Sequence, residues 1–249
     1  KEAHTFFVHH KSASFFDALF TGISTVPWNE WSPWTAFIPA VNDNGVFVRA
    51  YGVLPANGRS RLSPLANQTA ALQEVAAHVP SSAKSIQAFA FDSESFSKAA
   101  KRFQITHNQP ETVLDSLLIA ATQVAQIQLG NDAILTVKST QELEEISSLL
   151  SRQSKAQYSI SGQTLFEFSN ENQKTNVLAP ITKKGTYTHA AFLNEHLYLG
   201  TSKTVMETVL HALSKDDVLA NDLRFQSYVK TLPRRSSLWT WAAPAYVES

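Results

Sequence analysis

The sequence predicts an α+β fold with mostly antiparallel sheets, built from hairpins, and with helices packed on one face. Short turns join the strand-like segments in pairs, which indicates antiparallel pairing because parallel strands need long crossover connections. Helical patterns occur in blocks and do not alternate strictly with strands, which argues against a parallel sheet. The 249 residues are 43% hydrophobic and 17% charged. This composition is typical of globular proteins with one large core or two modest ones.

Residues 1–79 are predicted to form the first segment of the chain. Its elements are a strand at residues 6–10, a helix at 12–20, a hairpin at 34–53 and a helix at 65–79. The turn of the hairpin is signalled by Asn42-Asp43-Asn44-Gly45. The second helix follows Ser63 as N-cap and Pro64 as first helical residue. One interpretation of this segment is the tail of a preceding repeat.

Residues 80–249 are predicted to form the main α+β unit, packed against the first segment. Gly130 and Gly162 mark the turns of two hairpins, and Asn194-Glu195 marks a third. Ser139-Thr140-Gln141-Glu142 has the pattern of a capping box. The predicted elements are strands at 86–91, 124–129, 133–137, 158–160, 165–168, 187–193, 196–199 and 238–242, and helices starting near 92, 110, 139, 205, 219 and 244.

The two ends of the chain share a pattern, since residues 6–20 and 238–248 both have a strand followed by the start of a helix. Either the chain holds the tail of one unit and the head of the next, or it is one unit with its order rotated. In the second case, the first strand is expected beside residues 238–242 or in their place at the sheet edge.

Charge and cysteine content exclude several classes of function. The 21 basic and 21 acidic residues balance, and basic residues form short clusters instead of the broad basic face of a nucleic-acid-binding protein. The chain has no cysteine, which excludes disulfides, thiolate metal ligands and cysteine nucleophiles. The longest apolar stretch, residues 117–129, contains three glutamines and is too short to span a bilayer. We therefore expect no transmembrane segment and no nucleic-acid partner.

Trp28, Trp31 and Trp34 are the candidate binding residues. They lie in a segment that also holds Pro27, Pro33 and Pro39, so a regular helix is excluded there. Flat aromatic rings on a rigid segment can stack on sugars or on peptides, through apolar area and a ring N–H together. The alternative is that the three rings close one end of a core beneath a loop.

No catalytic or metal-binding motif is complete in this sequence. A hairpin is one way in which His189 and His196 could meet, but Glu195 is the one further ligand nearby, and zinc needs a matched set. Ser81-Ser82-Ala83-Lys84 matches the Ser-x-x-Lys pattern of penicillin-binding enzymes, yet it follows Pro80 and leads into a strand. We expect no metal and no cofactor, and we assign no catalytic residue.

The segments 193–202, 205–213 and 219–225, together with the hairpin at 34–53, resemble a family of bacterial cell-envelope domains of unknown function. The shared features are a hairpin ending in a small-residue turn, a helix and an Asp-x-x-Phe segment, here Asp222 to Phe225. The resemblance implies an exported or lipid-anchored protein of the cell envelope or periplasm, built from repeated units. This chain departs from the family pattern because the later hairpin precedes the earlier one.

The expected function is a non-catalytic binding or scaffold role in the bacterial envelope, with a protein or glycan partner bound through the segment from Trp28 to Trp34. The alternative is a hydrolase-type enzyme whose catalytic residues are dispersed along the sequence. A third hypothesis is a subunit whose role is assembly alone.

Overall fold

The first hairpin belongs to a small antiparallel sheet of three strands. The computed structural model describes residues 6–9, 34–42, 45–52, 68, 71–106, 121–140, 142–169, 186–230 and 235–243. Strand β1 (Phe6–His9) pairs with β2 (Trp34–Asn42), which pairs with β3 (Gly45–Gly52). Asn42 lies opposite Gly45 in the register, as the turn signal between them predicts.

The main sheet has eight strands. Two further short strands, β4 (Ala71–Leu72) and β12 (Arg235–Ser236), pair with each other. The strands of the main sheet are β5 (Ser85–Ala90), β6 (Ala121–Leu129), β7 (Asp132–Ser139), β8 (Ala156–Ile160), β9 (Gln163–Glu167), β10 (His189–Leu193), β11 (His196–Gly200) and β13 (Leu238–Ala242). Their order is β13-β5-β6-β7-β11-β10-β9-β8. All pairings among the described strands are antiparallel, so the predicted α+β class is confirmed.

Four α-helices lie within the described residues. They are α1 (Ser93–Thr106), α2 (Leu143–Gln153), α3 (Lys203–Ser214) and α4 (Leu223–Val229). Two 3₁₀ helices, Val75–His78 and Leu219–Asn221, accompany them. The Asp92 carboxylate accepts a hydrogen bond from the Ser95 N–H at 2.8 Å, so Asp92 begins α1 as the sequence predicts.

Helices cover both faces of the eight-stranded sheet, whereas the sequence predicted one face. Neighbouring residues along a strand point to opposite faces, and here both sets are buried. The α2 face of the sheet includes Phe89, Val124, Val137 and Leu197 and packs against α1 and α2. The α3 face includes Ala88, Ala125, Ala191 and Tyr198 and packs against α3, α4 and the 3₁₀ helix Val75–His78. The sequence predicted one covered face because polar residues such as Gln123 and Gln126 on β6 are normally exposed to solvent, whereas here both are buried.

Three tight hairpin turns match their sequence signals. Gly130 and Gly162 have φ of 60° and 76°, and Asn194 and Glu195 have φ of 50° and 63°. These left-handed conformations give two-residue turns the twist that antiparallel strands require. The turns therefore set the registers of β6–β7, β8–β9 and β10–β11.

The helix predicted over residues 65–79 is wrong in its described part. Ala71 and Leu72 form β4 by pairing with β12, and the chain then makes the 3₁₀ helix Val75–His78. Val75 and Val79 are buried in the core of the α3 face. Packing of these residues onto the main sheet therefore overrides the helical propensity of an Ala- and Leu-rich stretch.

The capping box predicted at Ser139 is also wrong. Ser139 ends β7, and Glu142 is the N-cap residue of α2, with no hydrogen bond from its side chain to the helix. The buried side of α2 is nevertheless as predicted, since Ile146 and Leu150 are buried and Leu149 packs beside them. The apolar spacing identified the helix even though its start was misplaced.

The two alike ends of the chain lie in different sheets. β1 pairs with β2, whereas β13 forms an edge of the eight-stranded sheet beside β5. The expectation that the first strand lies beside residues 238–242, or replaces them, is therefore wrong. The division at residue 79 stays a prediction, although residues 71–79 contribute to the core of the main sheet. The helices predicted at 12–20, near 110 and near 244 lie outside the described residues.

Candidate functional site

Trp34 is the one predicted binding residue that lies among the described residues. It begins β2 opposite His9 of β1, and 46% of its surface is exposed. Trp28 and Trp31 lie outside the described residues. The exposure of Trp34 is compatible with a binding surface, because a ring that closes a core is largely buried.

Phe7 is a second exposed aromatic residue beside Trp34. It lies opposite Ala36, two positions along β2 from Trp34, and 72% of its surface is exposed. Residues opposite each other in an antiparallel pair, and alternate residues along a strand, share one face. Phe7 and Trp34 are therefore diagonal neighbours about 7–8 Å apart, which is within reach of aromatic side chains. We call this pair the aromatic face.

The chemistry of the aromatic face is mainly apolar. The Phe7 ring offers area without a hydrogen-bonding group, and the Trp34 indole adds a larger ring with an N–H donor. Both residues stand on paired strands, and Trp34 begins the nine-residue strand β2. A rigid, exposed pair of this kind favours binding by burial of ring area, because few side-chain rotations are lost.

His189 and His196 do not converge on a metal ion. His189 pairs with Gly200 at one end of the β10–β11 hairpin, and His196 pairs with Leu193 at the turn. Four positions along a strand separate the Cα atoms by about 13 Å, so the two imidazoles start from opposite ends of the hairpin, and His196 is already bonded to the Asn194 carbonyl and stacked on His78. Within the described part of the chain, no group of three His, Asp or Glu side chains is arranged to hold a metal.

His196 instead stacks on His78, a contact that the sequence did not predict. The ring centroids lie 3.8 Å apart and the ring planes are inclined by 22°. Burial lowers the pKa of His196 to about 4, and Lys138 and His78 add to the shift. Burial also lowers the pKa of His78, with Lys138 again contributing. Both rings are thus held neutral at neutral pH.

A second polar cluster lies at the other end of the α3 face. The Tyr158 hydroxyl donates to the Glu167 carboxylate at 2.5 Å, and Lys155 pairs with the same group at 2.7 Å. These bonds lower the pKa of Glu167, the one from Lys155 most strongly. Lys203 of α3 lies 4.1 Å above the Tyr158 ring and connects α3 to the edge strand β8. The cluster thus joins a helix to the sheet edge.

The hydroxyl beside His189 is not arranged as a nucleophile. Thr188 Oγ1 donates to the Thr201 carbonyl at 2.9 Å and lies 2.8 Å from His189 Nδ1. Because its proton is already donated, this oxygen accepts a hydrogen bond from His189. A nucleophile–base pair needs the opposite direction, in which the imidazole accepts the hydroxyl proton.

The Ser-x-x-Lys match is not on a helix. Ser81 and Ser82 form a turn after Pro80, and Lys84 precedes β5. The Ser81 hydroxyl donates to the Asp217 carboxylate, and Lys84 lies exposed. The one-turn helical spacing that brings Lys to the nucleophile is therefore absent here.

Two features were missed at the sequence level. The strand that carries Phe7 was predicted, but the exposure of its ring depends on what packs on that strand and has no signal in the sequence. The His78–His196 stack had no signal, since it joins residues that lie far apart in sequence.

Comparison with protein-family models, curated proteins and solved structures gives no match for this chain. Among the helices of the described residues, none is both long and apolar enough to cross a bilayer.

Proposed function

We propose that this protein is a non-catalytic binding or scaffold module of the bacterial cell envelope, and that it binds a partner protein through the aromatic face. The observation that carries the proposal is the exposure of Phe7 at 72% and Trp34 at 46%, side by side on one sheet face. Tryptophan and other aromatic residues are enriched at the energetic centres of protein interfaces.

A partner protein fits the aromatic face better than a glycan does. Stacking on a sugar is normally accompanied by polar groups that bind its hydroxyls. Of the two exposed rings, Phe7 offers no polar group at all, and Trp34 offers one N–H donor. An apolar side chain of a partner protein can bury both rings without leaving hydroxyls unsatisfied, so the glycan becomes the alternative outcome of the test.

The envelope location rests on the resemblance of residues 193–225 and 34–53 to bacterial envelope domains. The absence of cysteine is compatible with that location, because the fold needs no disulfide. The same resemblance supports an exported or lipid-anchored full-length protein with repeated units. The envelope location and the export or lipid anchoring are parts of the proposal. Fractionation of cells that express the full-length protein tests them, because an envelope protein is recovered in the envelope fraction.

The hydrolase alternative has weaker support. Two of the hydroxyls near candidate acid–base groups are Ser81, which donates to Asp217, and Thr188, which donates to a backbone carbonyl. Neither donates to a histidine. Neither of these two hydroxyls is therefore activated as a nucleophile by a histidine.

The test compares capture of envelope proteins by the wild-type chain and by two variants, Trp34→Ala and Phe7→Ala. The matched control is Leu223→Ala, which removes another exposed apolar side chain, 77% exposed on α4. The proposal expects a partner whose affinity falls about 30-fold or more in the Trp34 variant, equivalent to a hot-spot loss of about 2 kcal/mol. Leu223→Ala is expected to bind like the wild type.

A glycan array probed with the same four proteins separates the two ligand classes. Binding of a glycan that depends on Trp34, without any protein partner, would replace the protein-binding proposal by a glycan-binding one. Equal capture by wild type, Trp34→Ala and Phe7→Ala would overturn the role of the aromatic face.

A further inference from the structure

The 3₁₀ helix Val75–His78 is attached to the α3 face by a small set of polar contacts. The Tyr198 hydroxyl donates to the His78 carbonyl at 3.2 Å, and Lys138 pairs with Glu74 at 3.0 Å. Just before the helix, the Gln73 side chain accepts a hydrogen bond from Gln123 at 2.8 Å. The stack of His78 on His196 adds an aromatic contact. The segment is also held on either side of the helix, where Gln73 donates to the Ser236 carbonyl at 2.7 Å and the Val79 carbonyl accepts from the Leu219 N–H at 2.8 Å.

The hydrogen bonding of His196 defines its protonation state. Nδ1 lies 2.7 Å from the Asn194 carbonyl. A carbonyl can only accept, so Nδ1 carries the proton and Nε2 of the neutral ring is a bare acceptor. The residue is 2% exposed, and Nε2 has no hydrogen-bond partner within the described structure. Adding a proton to Nε2 creates a buried N–H donor without an acceptor, which is costly.

The charges around the stack also oppose a second proton. His78 lies against the ring of His196, and Lys138 brings a positive charge from β7. Glu74 before the 3₁₀ helix acts in the opposite direction on His196, and Glu74 and Glu195 both do so on His78. Glu74 is already paired with Lys138, so its effect is partly cancelled. Burial is the largest of these influences on the pKa of His196.

We propose that the His78–His196 stack is an acid-sensitive contact, and that protonation of His196 detaches the 3₁₀ helix Val75–His78 from the α3 face. Detachment lets the His196 ring turn toward water and uncovers Val75, which is buried in the attached state. The device is independent of the aromatic face, and its test does not require a binding partner.

The direction and the pH window follow from linkage. A histidine with a lowered pKa in the attached state and an ordinary pKa near 6.5 in the detached state takes up a proton on detachment. Attachment is therefore complete above about pH 6.5 and weakens progressively as the pH falls toward 4. For His196 alone, the detachment equilibrium increases about 30-fold between pH 7.5 and pH 5.

Hydrogen exchange measured by mass spectrometry on the intact chain tests this directly. Exchange rates at about pH 7.5 and pH 5 are corrected for the intrinsic effect of pH on amide exchange. Peptides covering residues 73–79 are expected to lose protection by about 30-fold at the lower pH. Peptides from the centre of β6 (Ala121–Leu129) exchange through global unfolding, so they are expected to stay far better protected than residues 73–79 at both pH values, which separates local detachment from global unfolding.

Two variants and a spectroscopic readout make the test specific. His196→Phe keeps a ring against His78 but cannot titrate, so its protection at residues 73–79 is expected to change much less with pH. His211→Gln removes an exposed histidine on α3 and is expected to keep the wild-type response. The ring signal of His196 in NMR spectra is expected to stay unprotonated down to about pH 5. A ring titration near pH 6.5, or an equal loss of protection in His196→Phe, would overturn the proposal.

Discussion

Gly200 shows how a single methyl group can decide whether α3 packs on the sheet. A Cβ built at this position lies 2.6 Å from both Cγ and Sδ of Met206 and 3.1 Å from Cγ1 of Val205. Met206 is fully buried, so its side chain has little room to move aside. We therefore expect Gly200→Ala to lower the free energy of unfolding by about 1–3 kcal/mol, the usual cost of overpacking, as measured by urea denaturation.

A double-mutant cycle provides the control for this prediction. Met206→Ala alone costs about 2–5 kcal/mol because it leaves a cavity, but it also removes the two atoms that a methyl at position 200 would meet. In that background, Gly200→Ala is expected to cost less than about 1 kcal/mol. If the stability costs of Gly200→Ala and Met206→Ala simply add in the double mutant, the close approach to Met206 is not what destabilises Gly200→Ala.

At the residue scale, the sequence predicts local backbone geometry better than contacts between distant side chains. The turns at Asn194 and Gly162 were identified because asparagine tolerates left-handed backbone conformations and glycine adopts them without a steric cost. The exposure of Trp34 was one of two open interpretations, since it depends on what packs around the ring. The stack of His78 on His196 depends on the tertiary placement of two residues, and no local signal encodes it.

The start of α3 is stabilised by a side-chain cap. Ser202 is the N-cap residue in an extended conformation, and its side chain accepts a hydrogen bond from the Val205 N–H at 3.3 Å. Removing this acceptor leaves a helix-terminal N–H without its partner. We expect Ser202→Ala to lower the free energy of unfolding by about 1 kcal/mol, measured from the shift of the urea midpoint.

The N-cap of α2 supplies a matched comparison, because Glu142 makes no capping hydrogen bond through its side chain. Glu142→Ala is expected to change stability by less than about 0.5 kcal/mol. Ser202→Asp, which keeps an acceptor oxygen, is expected to restore most of the stability that Ser202→Ala loses. A similar loss in Ser202→Ala and Glu142→Ala would contradict a specific role for the cap.

At the element scale, apolar spacing predicted whether most elements are helices or strands, and it failed where tertiary pairing competes. The apolar spacing of Ile146 and Leu150 identified α2 without its true start. Residues 71–79 have good helical propensity, yet β4 pairs with β12 and Val75 packs into the core. Helical propensity differences are below about 1 kcal/mol per residue, so burial of a few apolar side chains outweighs them.

At the scale of the whole molecule, hairpins were predictable and the order of the sheet was not. The pairs β6–β7, β8–β9 and β10–β11 are joined by short turns that the sequence marks. The pairing of β7 with β11 joins two hairpin systems in the middle of the sheet, and β13 returns to pair with β5. These contacts depend on the packing of both faces, which no local pattern specifies.

Buried histidines give the whole fold a pH-dependent stability. Burial lowers the pKa of His196, His78 and His189 in the folded protein, whereas the unfolded chain binds their protons near pH 6.5. The unfolded state therefore holds more protons below that pH, and stability decreases as the pH falls from about 6.5 toward 4. His196 alone, with its pKa lowered to about 4, is expected to remove about 2 kcal/mol between pH 7.5 and pH 5.

Urea denaturation at a series of pH values checks this prediction. The lowered pKa values of Asp92 and Glu167 also make stability fall with decreasing pH, but in a lower window, because their stabilising effect is lost only below the unfolded pKa near 4. Their contribution is thus small at pH 5, and the loss above that pH reports the histidines. His196→Phe is expected to reduce the loss by about 2 kcal/mol, and His211→Gln is expected to leave it unchanged. A free energy of unfolding that is level between pH 7.5 and pH 5 would show that these rings titrate equally in the folded and unfolded chains.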